Sequence, residues 1–225
     1  MHVAILEELA RARSDRVAVA VVTNTATAEQ EIVTHRDSGG HALADRLEDG
    51  FRFDKSGVVS TDRGEFFIHI HNPALRLVIV GAVHIAQALV PMAKAAGYDI
   101  TVIDPRGAFA TEDRFPDVRL HADWPDEVLP GVGLDMRTGF LALTHDPKVD
   151  DPALTIALQS ECFYIGALGS KRTQASRAER LREAGLDPSP IHGPVGLDIG
   201  ARGAPEIAIA IMAEMTRALR LGVDR

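Results

Sequence analysis

The sequence predicts an α/β protein whose main part is a doubly wound parallel sheet. Residues 77–80 are apolar and largely β-branched and end at Gly81, which is typical of a strand buried on both faces. Apolar residues then recur at helical spacing as far as Ala96, and a second apolar run ends at Asp104. A strand, a helix and a strand in this order predict a parallel crossover, which is the repeating unit of such a sheet.

Strand and helix patterns continue to alternate after this unit. Strands are predicted at residues 118–122, 138–144 and 163–166, and helices at residues 124–131, 151–161, 171–184 and 205–219. In the helix over residues 151–161, Pro152 would lie in the first turn, where proline is favoured. The closing helix places Ile207, Ile211 and Met215 on one face, so we expect that face to pack on the sheet.

The beginning of the chain follows a different pattern and predicts a small α+β segment over residues 1–73. We expect a helix at residues 3–13, a strand at 17–22, a loop or irregular hairpin at 23–36, a short helix at 42–47, and paired strands at 58–60 and 65–71. His69 and His71 alternate with apolar residues, which predicts a sheet with one solvent-exposed face. Asn72-Pro73 interrupts the pattern, so we place the boundary of a second, Rossmann-like domain there, over residues 74–225.

Composition excludes several classes of function. Hydrophobic residues make up 46% and charged residues 25% of the 225 residues, as in an ordinary globular protein. The net charge is −8 and lysines and arginines are scattered, which argues against binding to nucleic acid or anionic membranes. The longest apolar run is too short to cross a bilayer. Cys162 is the single cysteine, which fits a reducing cytoplasm, and we expect it to be buried and inert.

The first crossover has part of the pattern of a dinucleotide site. Such a site has glycines where the strand turns into the helix, because the backbone there must approach a pyrophosphate. Gly81 takes the first glycine position and Ala86 the third, but Val83 takes the second, where its branched side chain would hold a diphosphate away. Asp104 has the spacing to bind ribose hydroxyls. Two interpretations stay open: a working phosphate site, and a nucleotide-type fold that has lost it.

Further candidate residues lie in the loops that follow later strands, where open α/β sheets bind ligands. Gly169 and Ser170 open a helix and could bind an anion, although Ser170 could equally act only as a helix cap. The histidines His84, His145 and His192 lie in or beside such loops. No pair of them has the short spacing of a zinc motif, so we expect them to bond to loops or touch a ligand.

Six blocks of sequence resemble the XdhC/CoxI family. They occupy residues 77–84, 102–106, 114–116, 143–146, 164–170 and 194–200, and the resemblance extends over residues 75–217 with every block in order. Members of this family are accessory proteins of molybdenum hydroxylases such as xanthine dehydrogenase and carbon monoxide dehydrogenase. The resemblance implies a maturation chaperone that binds molybdenum cofactor (molybdopterin), supports its sulfuration with a cysteine desulfurase and assists its insertion into an apo molybdenum hydroxylase.

The resemblance also implies a set of cofactor-binding residues, none with a bond-making role. Gly81, Ala82 and His84 are expected to line the mouth of the first crossover. Asp104 and Arg106 are expected to contact the polar end of a ligand. The rest of the ligand crevice is expected to be formed by Thr144, His145, Gly169 and Ser170. No metal ligands are predicted.

The sequence departs from the family pattern in two places, and these leave other functions open. Val83 replaces a family glycine, which weakens the prediction of bound NAD(P) or of a dinucleotide form of the cofactor. Residues 1–74 lack the family's glycine-serine-proline-arginine segment, and Gly39-Gly40 is followed by His41 in place of cysteine. A separate partner carrying that N-terminal module is therefore a hypothesis, as is a homodimer. The alternatives are an NAD(P)-dependent oxidoreductase and a protein-docking scaffold without a small ligand.

Overall fold

The computed structural model describes residues 3–222, which divide into two compact units between Pro73 and Ala74. The first unit contains a four-stranded antiparallel sheet with the strand order β2-β1-β4-β3. Its elements are α1 (Val3–Ser14), β1 (Val19–Asn24), β2 (Gln30–Thr34), a 3₁₀ turn (Ser38–Gly40), α2 (Ala44–Phe53), β3 (Gly57–Thr61) and β4 (Gly64–His71).

Two predictions for this unit are corrected. Residues 23–36, expected to be a loop or irregular hairpin, form a regular hairpin of β1 and β2, because the Asn24 side chain accepts the N–H groups of Ala26 and Thr27 and closes the turn. The expected solvent-exposed face of the sheet is partly covered, since α1 packs over Val19 and Val21 there while α2 covers the other face.

The second unit contains a six-stranded, wholly parallel sheet with the strand order β10-β9-β8-β5-β6-β7. Its elements are β5 (Arg76–Val80), α3 (His84–Ala95), β6 (Asp99–Ile103), β7 (Arg119–His121), α4 (Pro125–Val132), β8 (Thr138–Ala142), α5 (Pro147–Leu158), β9 (Tyr164–Ala167), α6 (Lys171–Glu183), β10 (Ile191–His192) and α7 (Ala204–Leu221). This order confirms the predicted doubly wound sheet.

Helices cover both faces of this sheet, which explains why its central strands read as continuous apolar runs. On one face, α3 and α7 pack against alternate residues such as Leu77 and Ile79. On the other face, α4 and α5 pack against the residues between them, such as Val78 and Val80. Among residues 3–222, no helix combines the length and apolar character that a bilayer crossing requires.

Two elements of this unit differ from the sequence prediction. Helix α5 begins at Pro147, four residues before the predicted start, because Asp146 accepts the N–H of Lys148 and caps it there. Pro152 consequently lies inside the helix rather than in its first turn. The two-residue strand β10 pairs with β9 and was not predicted, since two residues are too short to show a period.

Candidate functional site

The strand order places a topological switch point at the carboxyl ends of β5 and β8, where open α/β sheets form a ligand-binding crevice. Strands β5 and β8 are neighbours, but the chain leaves them toward opposite faces of the sheet, so the loops that follow them diverge. We call residues 81–83, 104–109, 143–146, 168–170 and 193–203 the carboxyl-edge loops, and the space between residues 81–84 and 143–146 the crevice. Eight of the nine predicted site residues lie in carboxyl-edge loops, and the ninth, His84, is the first residue of α3.

Gly81 brings the two walls of the crevice into contact. Its φ of +116° is unfavourable for any residue with a side chain. A Cβ atom at this position would lie 2.9 Å from Thr144 Cγ2 and 3.1 Å from the carbonyl carbon of Leu143. The glycine is therefore needed for the close approach of the turn after β5 (residues 81–83, the β5 turn) to the loop after β8 (residues 143–146, the β8 loop). Two of the predicted site residues, Gly81 and Thr144, thus lie together.

Asp104 was predicted to contact a ligand, but its side chain is completely buried beneath the β5 turn. Its Oδ2 accepts the N–H of Ala82 at 2.8 Å and Nη2 of Arg106 at 2.7 Å, while its Oδ1 accepts the N–H and Nε of Arg106. Burial alone would raise the pKa of Asp104, but these bonds outweigh it and hold the pKa below its ordinary value. The carboxylate therefore fixes the turn and has no oxygen left for ribose hydroxyls.

Arg106 remains partly exposed above this carboxylate. Its side chain is 43% exposed, its guanidinium lies 4.7 Å from the Phe109 ring centroid, and its Nη1 has no hydrogen-bond partner among residues 3–222. The carboxylate of Asp104 raises the pKa of Arg106, so the cation is permanent. Because Asp104 Oδ2 bonds to both Arg106 and Ala82, this cation is held close to the start of α3.

The N-terminus of α3 has no side-chain cap. Its N-cap residue is Val83, in an extended conformation with φ −89° and ψ 173°. The N–H groups of the first helical turn consequently lack a side-chain acceptor, and an uncapped helix N-terminus favours an anion. His84, the first helical residue, is exposed, and its Nδ1 lies 3.2 Å from Gln87 Oε1, which also accepts from Arg114 at 2.9 Å.

The N-termini of α5 and α6, by contrast, are capped by the chain itself. The Asp146 carboxylate caps α5, and the Ser170 hydroxyl accepts the N–H of Thr173 at 3.1 Å and caps α6. This arrangement is the helix-cap interpretation of Ser170 that the sequence left open. Gly169 has a φ of +148° and lies against Thr173, so it shapes this turn. Of the three helices, α3 is the one whose first turn is open to an external anion.

The β8 loop forms the second wall of the crevice. Thr144 is buried, whereas His145 is exposed and has a φ of +65°, a left-handed conformation that is uncommon for residues other than glycine. Asp150, in the first turn of α5, accepts the N–H groups of both residues. Asp150 and its buried partner Arg177 were not predicted as site residues, since the predicted helix began only at residue 151 and no pattern in the sequence links the two.

Glu214 of α7 makes a second buried polar cluster that the sequence analysis missed. It accepts the Tyr164 hydroxyl at 2.6 Å and the N–H of Gly196 at 2.7 Å, and His192 Nδ1 lies 3.2 Å from it. The ring of His192 stacks on that of Tyr164 at 4.6 Å. His192 therefore interacts with residues of the fold itself. Of the two roles expected for these histidines, bonding within the protein and touching a ligand, it has the first.

Two further kinds of site, a metal site and a reactive thiol, were sought in residues 3–222. No group of three or more His, Cys, Asp or Glu side chains in that range converges as a metal site would require. Cys162 lies before β9, where burial raises the pKa of its thiol to about 12 and Ser160 donates to its sulfur. A thiol with this pKa is unreactive near neutral pH.

Two known proteins are similar to this chain in sequence. A Bacillus subtilis protein named as a probable subunit of xanthine dehydrogenase is 32% identical over 150 residues, which cover 66% of this chain and 44% of that protein. The Escherichia coli protein named molybdenum cofactor insertion chaperone PaoD is 32% identical over 146 residues, covering 64% of this chain and 40% of that protein.

A solved structure extends the similarity to both units. The crystal structure described as a xanthine dehydrogenase from Bacillus halodurans matches 98% of this chain and 65% of its own, with 27% identity and a TM-score of 0.67. The chain thus spans less than two thirds of each of these three proteins. The model of the XdhC Rossmann domain matches residues 77–215, which include the β5 turn, the β8 loop and the N-terminus of α6. This match covers more than half of the chain, which therefore belongs to the XdhC family.

Proposed function

We propose that this chain binds molybdenum cofactor as cargo in the crevice and assists its sulfuration and insertion into a molybdenum hydroxylase. Membership of the XdhC family supports this role, and one relative carries the name molybdenum cofactor insertion chaperone. The chain itself would act as a carrier, since no residue of the crevice is assigned a bond-making role.

The observation that carries the proposal is the uncapped N-terminus of α3 beside the Arg106 guanidinium. The pterin cofactor carries a terminal phosphate, which is the group proposed to bind here, since Val83 disfavours the diphosphate of the dinucleotide form. Backbone N–H groups at a helix N-terminus and an adjacent arginine are the donors that such a group needs. The residues present therefore fit the anionic end of the cofactor, with His84 and His145 exposed on either side of the crevice.

An NAD(P)-dependent oxidoreductase fits the same residues less well. The Asp104 oxygens are already used by Ala82 and Arg106, so the carboxylate cannot also bind a ribose. Val83 at the start of α3 keeps a branched side chain where a pyrophosphate would approach. Both observations favour a ligand held by its terminal phosphate over one lying along the turn.

The proposed partner is an apo molybdenum hydroxylase. A cysteine desulfurase, a separate N-terminal module of the XdhC type and a second copy of the chain are further proposals, which affinity capture with each purified protein would test one by one.

Parallel thermal-shift titrations with molybdopterin, its cytosine dinucleotide, NAD and NADP test the proposed function. A ligand present at 100 times its Kd and bound only by the folded chain should add about 2.7 kcal/mol to the stability. We expect a shift with molybdopterin, and a loss of that shift in Arg106→Ala. The matched control is Arg119→Ala, which removes an exposed arginine paired with Asp99 at the opposite end of the strands.

Each outcome separates one function from the others. A shift with NAD alone would replace the chaperone by a dehydrogenase. No shift with any of the four ligands, together with capture of an apo hydroxylase, would indicate a docking scaffold. An equal loss of the shift in Arg106→Ala and Arg119→Ala would show that the crevice is not the binding site.

A further inference from the structure

Asp150 fixes the β8 loop from below. It is completely buried, and its Oδ1 accepts the Thr144 hydroxyl at 2.6 Å and the Thr144 N–H at 3.3 Å. Its Oδ2 accepts the N–H of His145 at 3.1 Å. One carboxylate thus determines the backbone of two consecutive residues of the crevice.

Arg177 of α6 connects this carboxylate to the loop that follows β9. Its Nη2 lies 3.3 Å from Asp150 Oδ2 and donates to the carbonyl of Leu168 at 3.1 Å. Its Nη1 donates to Gln174, whose amide donates to the carbonyl of Ala167. The ion pair therefore joins two adjacent carboxyl-edge loops through buried side chains.

The backbone held by this pair is strained. A left-handed conformation is unfavourable for a residue with a Cβ atom, and His145 adopts it with a φ of +65°. Its imidazole is exposed and makes no hydrogen bond or ion pair within residues 3–222 that would hold this conformation. Strain of this kind, held in place by its surroundings, is concentrated at ligand sites.

The buried ion pair of Asp150 and Arg177 is not explained by a contribution to stability alone. Burial raises the pKa of Asp150 and lowers that of Arg177, which means that burial penalises both charges. Arg177 Nε is also buried without a hydrogen-bond partner in residues 3–222. The contrast is Asp151 with Arg180, which joins the same two helices at 2.6 Å near the surface and touches no carboxyl-edge loop.

We propose that Asp150 is a positioning residue, which holds His145 in its strained conformation so that the imidazole contacts the ligand, and which couples the β8 and β9 loops through Arg177. This inference rests on the proposed function, because it assumes that a ligand occupies the crevice. It assigns a role to Asp150 and Arg177, two buried residues outside the set predicted to bind the cofactor.

His145→Gly separates a ligand role from a structural one. Glycine relieves the left-handed strain, so the melting temperature should rise by about 2 °C. Loss of the imidazole should weaken binding of molybdopterin about tenfold, the equivalent of one good hydrogen bond. Ala28→Gly is the matched control: Ala28 has a φ of +61° in the β1–β2 turn, so the variant should gain stability with no change in affinity.

Asp150→Asn tests the positioning role. The amide matches the carboxylate in shape but cannot accept every bond, so we expect weaker molybdopterin binding and shifted backbone amide resonances at residues 144–146 and 168–170. Asp150→Asn with Arg177→Gln leaves no unpaired charge and keeps the test valid if the single variant does not fold. Asp151→Asn is the control and should leave affinity and both loops unchanged.

Two results would overturn the inference: unchanged affinity in His145→Gly, or unchanged loop resonances in a folded Asp150 variant. If the unaltered chain does not bind molybdopterin, the proposed function fails and the ligand role of His145 fails with it. The resonances then show separately, without any ligand, whether Asp150 positions the two loops.

Discussion

Three buried carboxylates hold the carboxyl-edge loops in place. Asp104 accepts the N–H of Ala82, Asp150 those of Thr144 and His145, and Glu214 that of Gly196. Each of them also has a basic side chain within 3.3 Å, respectively Arg106, Arg177 and His192. A buried acceptor fixes a loop more firmly than a solvent-exposed one, because losing its bond leaves a polar group unpaired.

At the residue scale, Gly81→Ala should destabilise the protein by about 2–4 kcal/mol, through left-handed strain and the contact with Thr144. Gly64→Ala is the matched control, since Gly64 has a φ of +121° but no atom within 4 Å of its Cβ position. Urea unfolding should show a clearly larger loss for Gly81. Equal losses would mean that the contact between the two walls of the crevice contributes nothing.

The sequence indicated Asp104 as an important residue but not its role. Spacing from Gly81 placed it at the end of the second strand, and the structure confirms that position directly after β6. Its burial and its bonds to Arg106 depend on how the loop after β6 folds back, and the pattern of residues carries no information on that. Of the two residues expected to contact the polar end of a ligand, our proposal therefore keeps Arg106 and gives Asp104 a structural role.

At the scale of elements, the three helices that begin near the crevice differ in how their N-termini are satisfied. Ser170 and Asp146 are short polar residues directly before α6 and α5, so both caps could be read from the sequence. Reading Asp146 in this way would have placed the start of α5 correctly. Val83 before α3 gave the opposite signal, since valine cannot cap.

Ser170→Ala should cost about 1 kcal/mol of stability, because the N–H of Thr173 loses its acceptor. Ser170→Asp should restore most of this stability, since a carboxylate caps a helix equally well. Chemical denaturation of both variants measures the difference. A ligand role beyond capping would appear as weaker molybdopterin binding in Ser170→Ala at a temperature where both proteins are folded.

At the scale of the whole molecule, stability should depend on acid pH through these carboxylates. Burial opposes ionisation of Glu214, but hydrogen bonds from His192, Tyr164 and Gly196 outweigh it and lower its pKa below 4.5. A carboxyl group with a lowered pKa stabilises the folded state at any pH above its ordinary pKa. This stabilisation is lost as the pH falls through the pKa of the group in the folded protein. Asp104 acts in the same direction, and Asp150, with a raised pKa, in the opposite one.

Glu214→Gln should therefore be less stable than the unaltered chain at pH 7, by about 1–3 kcal/mol. The difference should narrow as the pH falls below 4.5, the ordinary value for this carboxyl. Urea unfolding between pH 3 and 7 measures it, with Glu48→Gln on α2 as a control for charge alone. A constant difference over this range would show that Glu214 ionisation is not coupled to folding.

The sequence by itself determined the class of fold and the family. Buried parallel strands need apolar side chains on both faces, and the helices that cover them need one apolar stripe. The sequence therefore shows continuous apolar runs for the strands and apolar residues at helical spacing for the helices. The blocks of residues at the strand ends identified the family.

Only the tertiary structure decided what the polar residues of those blocks do. Asp104, Asp150 and Glu214 have similar carboxyl groups, and the sequence does not distinguish a buried acceptor from an exposed ligand contact. Their roles depend on partners 2, 27 and 22–50 residues away, which only folding brings within hydrogen-bond distance. Hydrogen bonding is short-ranged and directional, so the positions of these partners in space, rather than their order in the chain, determine which residues remain open to a ligand.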